Sequence, residues 1–300
     1  MTLSPTVIPN HAPAPDELCP TLTECLDKDV VLATDLDGTF LGGSPEERAE
    51  LYQWIEDNRA NVGLIFVTGR PRQLVEALFD GPVKDKMFNK YGPPRQNGVA
   101  VPRPDVAISD CGAGVWHGHD FSPVEPLMTE ISDLWGPERE TQIRELFDGE
   151  KGLALDSSFK LALGEEVKLA NCFGIEYFED QMDISLEEVR RRVESLDGLD
   201  VVISHGAYID ILPMGWSKGP TLERTLARAG VLQPCHPVRV VVAGDTMNDY
   251  CLLSHGYKSI MVGNADHELR GNLDCHAHLY RADAHGAGGI IEALKGWNFW

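Results

Sequence analysis

The sequence has no Cys-X-X-Cys pair. Its seven cysteines, Cys19, Cys25, Cys111, Cys172, Cys235, Cys251 and Cys275, are odd in number and scattered. That usage excludes a disulfide framework and fits reduced thiols in a cytoplasmic protein. No apolar run is long enough to span a bilayer. The N-terminal stretch MTLSPTVIPNHAPAPDELCP lacks the basic start and apolar centre of a signal peptide. Its prolines predict an extended arm over residues 1–28. Positive charge is also scarce: 26 Lys and Arg stand against 47 Asp and Glu, a formal net charge of −21. Nucleic acid and anionic membrane surfaces are thereby excluded as partners, since both repel an acidic surface. A local cation reverses the field within one cleft, so an anionic small substrate stays admissible.

What is present is a soluble-protein composition, 43% hydrophobic and 24% charged over 300 residues, enough for one large or two ordinary domains. Apolar β-branched runs alternate with amphipathic stretches. VVLATD (30–35) reads as a strand buried on both faces, and SPEERAELYQWIEDNRA (44–60) as a helix capped by Ser44 with Pro45 at its first position. VGLIFVTG (62–69) and PRQLVEALFD (71–80) repeat the strand–helix unit. The rhythm returns late, in SKGPTLERTLARAG (217–230), VRVVVAGD (238–245), YKSIMVGN (257–264) and HGAGGIIEALKGW (285–297). The middle, with the acidic helical ISLEEVRRRVESL (184–196) and the less regular SFKLALGEEVKLANCFGIEYF (158–178), breaks it. The fold class expected is α/β: a Rossmann-like parallel-sheet core over 29–115 and 206–300, with an inserted α/β lobe over 116–205.

In an open parallel sheet, ligands bind beyond the carboxyl ends of the strands. Three expected strands end there in reactive side chains: Asp35 with Asp37, Thr68, and Asp245. Asp35, Asp37, Asp245 and Asp249 gathered in one crevice repel one another severely unless a hard dication sits among them, and oxygen-only ligands favour Mg²⁺. Thr68 and Gly69 in VTGR bring a hydroxyl and backbone donors, and Lys218 in SKGP a point charge. Together these make a site for a phosphoryl group. Asp35, at the rigid strand end, is the candidate nucleophile, forming an aspartyl-phosphate. Asp37, two residues on and on the same side of an extended chain, is the candidate acid and base. Gly38 lets the backbone turn away and approach the phosphate.

DLDGT, VTGR, the lysine of SKGP and GDTMND stand in the order and approximate spacing of the haloacid dehalogenase-like (HAD) phosphatase superfamily, which the chain resembles from Val30 onward. The insertion resembles the α/β cap of the Cof-type and sucrose-phosphate phosphatase branch. PDVAISDCGAGVW (104–116), YIDILPMGWSKG (208–219), VGNADHEL (262–269) and GAGGIIEAL (286–294) add to the likeness. The resemblance implies that Asp35 is nucleophile and magnesium ligand, and that Asp37 offers its backbone carbonyl to the metal beside its acid–base role. It further implies that Thr68 and Lys218 hold phosphoryl oxygens, Asp245 ligates magnesium, Asp249 acts in or beside the metal shell, and Asn248 lies near the phosphate. Asn264 takes a supporting role.

Other residues have plainer readings. HGHD (117–120) and CHAH (275–278) lack a second half at zinc-finger spacing and read as surface or strand histidines. Arg70 reads equally as a surface salt-bridge residue and stays outside the catalytic set. Lys168, Asn171, His205 and Tyr208 are candidate sugar readers in or beside the insertion. The expected activity is Mg²⁺-dependent hydrolysis of a small sugar or disaccharide phosphate, with sucrose-phosphate-like substrates ranked first. A phosphomutase on the same scaffold and a non-catalytic sugar-phosphate sensor are the rivals. The oligomeric state, monomer or homodimer, is not written in the sequence.

Overall fold

The structure is a computed structural model that describes residues 18–79, 95–96, 99–150, 153–155, 169–177, 184–204, 208–231, 239–273, 276 and 278–300. Among these, seven strands form one sheet in the order β13-β12-β11-β1-β2-β5-β6. They are β1 (Val30–Thr34), β2 (Val62–Val67), β5 (Val106–Ser109), β6 (Gly114–His117), β11 (Arg239–Gly244), β12 (Lys258–Met261) and β13 (Leu279–Arg281). All pairings are parallel except β5 with β6, which return on each other through a tight turn. β1 is central: Leu32 pairs with Leu64 on β2 and with Val241 on β11. Every residue of β1 and β2 is buried, as a strand covered on both faces requires.

Two apolar layers flank the sheet. One gathers Val31, Ala33, Ile65 and Val242 with Leu222 and Leu226 of the helix Lys218–Arg228. The other gathers Leu32, Leu64 and Phe66 with Leu51, Tyr52 and Ile55 of the helix Pro45–Asp57, and Ile290 and Leu294 of the helix Gly286–Gly296. Pro45–Asp57 starts as its sequence demands: Ser44 accepts from the Glu47 amide and Glu47 accepts from the Ser44 amide.

A second, antiparallel sheet has the order β7-β8-β10-β9, from β7 (Leu153–Leu155), β8 (Phe173–Tyr177), β9 (Leu199–Ser204) and β10 (Tyr208–Pro213). The helices Arg139–Leu146 and Leu186–Val193 cover one of its faces, burying Ile143, Val189 and Val193 against Phe173, Ile175, Ile209 and Ile211. The remaining pair, β3 (Arg95–Gln96) and β4 (Val99–Ala100), forms a small hairpin.

Three expectations shift. β10, expected inside the core segment 206–300, hydrogen-bonds into the second sheet, because Ile209 and Ile211 find their apolar partners under its helices. The helix Leu127–Trp135, expected in the insertion 116–205, buries Leu127, Met128 and Ile131 in the layer of the main sheet, and β6 runs past residue 116. Within the expected extended arm 1–28, Pro20–Leu26 is a helix docked by fully buried Leu22 and Leu26, and the Cys19 amide donates to the Arg228 carbonyl. Residues 1–17 lie outside the described residues.

Candidate active site

β1 delivers Asp35 to the carboxyl edge of the sheet, where its amide donates to the Ala243 carbonyl of β11 at 2.9 Å. The chain then winds through Leu36–Phe40, with Gly38 at φ +83°. That glycine is required twice over: its φ is left-handed, and a Cβ there would stand 2.1 Å from Asp245 Oδ2. Thr39 Oγ1 donates to Asp245 Oδ1 at 3.0 Å, so the turn after the nucleophile candidate is tied to the end of β11. Asn264 closes the same corner. Its Nδ2 donates to the Gly38 carbonyl and to Asp245 Oδ2, while its Oδ1 accepts from the Gly286 amide.

Lys218, at the start of the helix Lys218–Arg228, is fully buried. An ammonium so placed is costly unless its donors are met, and three acceptors meet it: Asp35 Oδ1 at 2.8 Å, Asp249 Oδ1 at 2.6 Å and Asn248 Oδ1 at 3.1 Å. The two carboxylates drive the Lys218 pKa well above that of a free lysine against the opposing effect of burial. Asp249 Oδ2 accepts from the amides of Asp245 and Thr246, which locks the turn after β11. Gly244 makes room for this, since a Cβ there would lie 2.6 Å from Asp249 Cβ.

Asp35, Asp245 and Asp249 each offer a carboxylate oxygen within 4.8 Å of the others, and all three are buried. Among the described residues one ammonium is paired with them, so two negative charges stand unbalanced when all three are ionised. Burial pushes the carboxyls of Asp35 and Asp245 far above the usual range; Lys218 opposes the shift at Asp35, and Asp35 reinforces it at Asp245. An all-oxygen donor set with a deficit of two positive charges fits a hard dication such as Mg²⁺.

Thr68, buried at the end of β2, donates its amide to the Ile108 carbonyl, and its hydroxyl accepts from the Arg70 amide. Gly69 follows, and a Cβ on it would stand 3.8 Å from Asn248 Nδ2, so the VTGR and GDTMND turns face each other.

The part expected of Asp37 at the metal is its backbone carbonyl, and its side chain is engaged elsewhere. It lies outside the three-carboxylate group and is held in a two-pronged ion pair by Arg70, whose Nε and Nη2 each donate at 2.5 Å. Arg70 is 4% exposed, so the surface reading of this residue gives way to a structural partner for Asp37. Its position directly after Thr68-Gly69 was the available signal. Asn171 spends its amide on the Ala113 carbonyl at 3.4 Å, and Tyr208 stands 42% exposed on β10. Lys168 and His205 lie outside the described residues.

The chain resembles known proteins over most of its length. The model of the family described as sucrose-6F-phosphate phosphohydrolase matches residues 28–82 and 93–298. The chain is 31% identical over 270 residues to a glucosylglycerol-phosphate synthase of Pseudomonas anguilliseptica, covering 90% of this chain but spanning only 31% of that protein's length. It is 24% identical over 277 residues to a mannosylfructose-phosphate phosphatase of Agrobacterium fabrum, covering 89% of this chain and 96% of that one. In fold it is similar to the sucrose-phosphatase of Synechocystis solved with sucrose and phosphate, with a TM-score of 0.70 at 20% identity over 90% of this chain and 98% of that one.

Proposed function

Because the chain belongs to the sucrose-6F-phosphate phosphohydrolase family of HAD-type proteins, we propose that it hydrolyses the phosphate monoester of a small sugar, disaccharide or glycosyl-polyol. The observation that carries this reading is the single knot of Asp35, Lys218, Asp245 and Asp249 at the carboxyl edge of the sheet, with Thr68 alongside.

The residues divide the work as follows. Asp35 Oδ attacks phosphorus, the bond from phosphorus to the sugar oxygen breaks, and an aspartyl-phosphate forms. Asp37 gives a proton to the departing sugar oxygen and then takes one from the water that attacks the aspartyl-phosphate, releasing inorganic phosphate and regenerating Asp35. Arg70 holds the Asp37 carboxylate in place during both transfers. Lys218, the Thr68 hydroxyl and the Asn248 amide take the phosphoryl oxygens, where their donors act in a site shielded from water. Asp35, Asp245 and Asp249 would hold Mg²⁺, which supplies neutralisation of charge on the transferred group.

The second sheet supplies a wall for the sugar. Its strand β9 approaches the turn Met247–Asp249, and β10 approaches the turn Asp110–Gly112, so the phosphate pocket lies under it. Substrates suggested by the relatives are the sucrose, mannosylfructose and glucosylglycerol phosphates that their names carry.

The test is phosphate release from these three esters, with Mg²⁺ and with EDTA, beside an Asp35→Asn control. Release that needs Mg²⁺ and falls by several orders of magnitude in the control is the expected result. An isomerised sugar phosphate without release supports a mutase. Tight binding without turnover in the wild type supports a sensor.

A further inference from the structure

One carboxylate beside the phosphate pocket has no part in the steps above. On β10, Ile209 and Ile211 point into the apolar layer under the helices of the second sheet. The strand alternates, so Tyr208, Asp210 and Leu212 point from the uncovered face. That face is turned to the main domain: Leu212 packs against Cys111 and Ala113, and Asp210 Oδ2 accepts from the Cys111 thiol at 3.2 Å. Cys111 in turn adjoins the phosphate loop. Its amide donates to the Thr68 carbonyl at 3.0 Å, and its sulfur lies 3.2 Å from where a Cβ on Gly69 would stand. Asp210 is thus separated from the VTGR loop by one thiol.

A carboxylate is an odd choice so near a loop proposed to hold a phosphate dianion. Among the described residues its sheet partners carry no charge, since it pairs with Gly174 on β8 and Val202 on β9, and the one cation that acts on it, Lys218, is hydrogen-bonded to Asp35 and Asp249. Among the described residues its carboxylate accepts one hydrogen bond, from a thiol, which is a weak donor. The residue is half-buried, and the lone pairs not used by that thiol have no partner among the described residues. Hydroxyl groups are the uncharged donors that fill such capacity, and adjacent sugar hydroxyls do so in pairs. An anionic group at the same place meets repulsion.

We propose that Asp210 determines specificity: its carboxylate accepts hydrogen bonds from the hydroxyls of an uncharged sugar or polyol leaving group and rejects leaving groups that carry a carboxylate. This rests on the reading of the site as a sugar-phosphate phosphatase.

The experiment compares kcat/KM for glucosylglycerol phosphate with that for the same ester bearing a carboxylate in place of the free glycerol hydroxymethyl. It uses wild type, Asp210→Asn and Asp210→Ser with Mg²⁺ present. The wild type is expected to favour the neutral ester at least tenfold. Asp210→Asn is expected to lose about tenfold on the neutral ester while gaining on the acidic one, so that the preference collapses. The wild-type ratio needs no variant, so a misfolded substitution leaves a decisive arm: equal rates on the two esters overturn the proposal. A uniform fall on both esters in the variants also overturns it, since that marks a tie between the two lobes and no reading of the leaving group. If the wild type releases phosphate from neither ester, nor from p-nitrophenyl phosphate, the phosphatase reading itself fails.

Discussion

Asp110 offers a test of the electrostatics that stands apart from catalysis. It is 1% exposed, and its backbone sits at φ +52°, a conformation that Asp and Asn both tolerate. Its carboxyl accepts from the Ser109 hydroxyl, which in turn accepts from Trp116 Nε1 at 2.8 Å, and the Cys172 thiol approaches at 3.9 Å. Burial pushes its pKa from 3.8 to about 7, with nearby Asp210 adding to the rise and the hydrogen bonds opposing it. A folded pKa raised above the unfolded one means that stability is fully present below the unfolded pKa, and is lost as pH rises through the folded pKa. About 3 pKa units correspond to about 4 kcal/mol in all, of which about 3 kcal/mol falls between pH 5 and pH 8. Asp110→Asn keeps the shape and the backbone preference and removes the titration. Urea unfolding of wild type and variant at pH 5 and pH 8, both with saturating Mg²⁺, measures the difference. The variant is expected to gain about 3 kcal/mol relative to wild type between the two pH values. A difference that does not change with pH refutes the claim that burial governs this carboxyl.

Three further outcomes follow from the site. Arg70→Ala frees the Asp37 carboxylate and is expected to lower kcat about 10- to 100-fold with a smaller change in KM, on the scale of a displaced acid–base group, with Arg70→Lys restoring only part because a lysine cannot make the two-pronged contact; steady-state kinetics decide it. Gly38→Ala places a methyl 2.1 Å from Asp245 Oδ2 at a left-handed φ, and is expected to cost more than about 2 kcal/mol in denaturant unfolding and to abolish phosphate release. Mg²⁺ is expected to raise the melting temperature more at pH 8 than at pH 5. Burial raises the pKa values of Asp35 and Asp245, so the lower pH favours their protonated forms and protons compete there with a cation; differential scanning fluorimetry with and without EDTA reads this directly.

The parts of the fold legible from sequence are those where one local signal suffices. The strand Val30–Thr34 is five buried apolar or small residues followed at once by a charge, and that abrupt change marks the sheet edge without knowledge of any neighbour. The helix Pro45–Asp57 announces itself through Ser44, Pro45 and Glu47. Asp35, Thr68, Asp245, Asn248 and Asp249 follow the ends of β1, β2 and β11, which are parallel and so end on the same side; Lys218, at the start of a helix, reaches Asp35, Asn248 and Asp249 from there.

What stayed hidden depends on partners. The alternation in Tyr208–Pro213 suits either sheet; only the helices Arg139–Leu146 and Leu186–Val193, offering Ile143 and Val189, decide that Ile209 and Ile211 turn toward the second sheet's layer. The Asp37–Arg70 pair spans 33 positions; the place of Arg70 directly after Thr68-Gly69 puts it near the site, but only the fold shows that it is 4% exposed and paired with Asp37. The same limit explains Asp210. Read along the chain it is one polar residue within an apolar strand; only when Cys111 is seen against Gly69 does it become a carboxylate near a loop proposed to hold a phosphate. The aspartates and the threonine proposed for catalysis follow strand ends, and strand ends are written locally. Asp210, proposed to choose the leaving group, sits on a face of a second sheet, and which face is presented is decided by what covers the other.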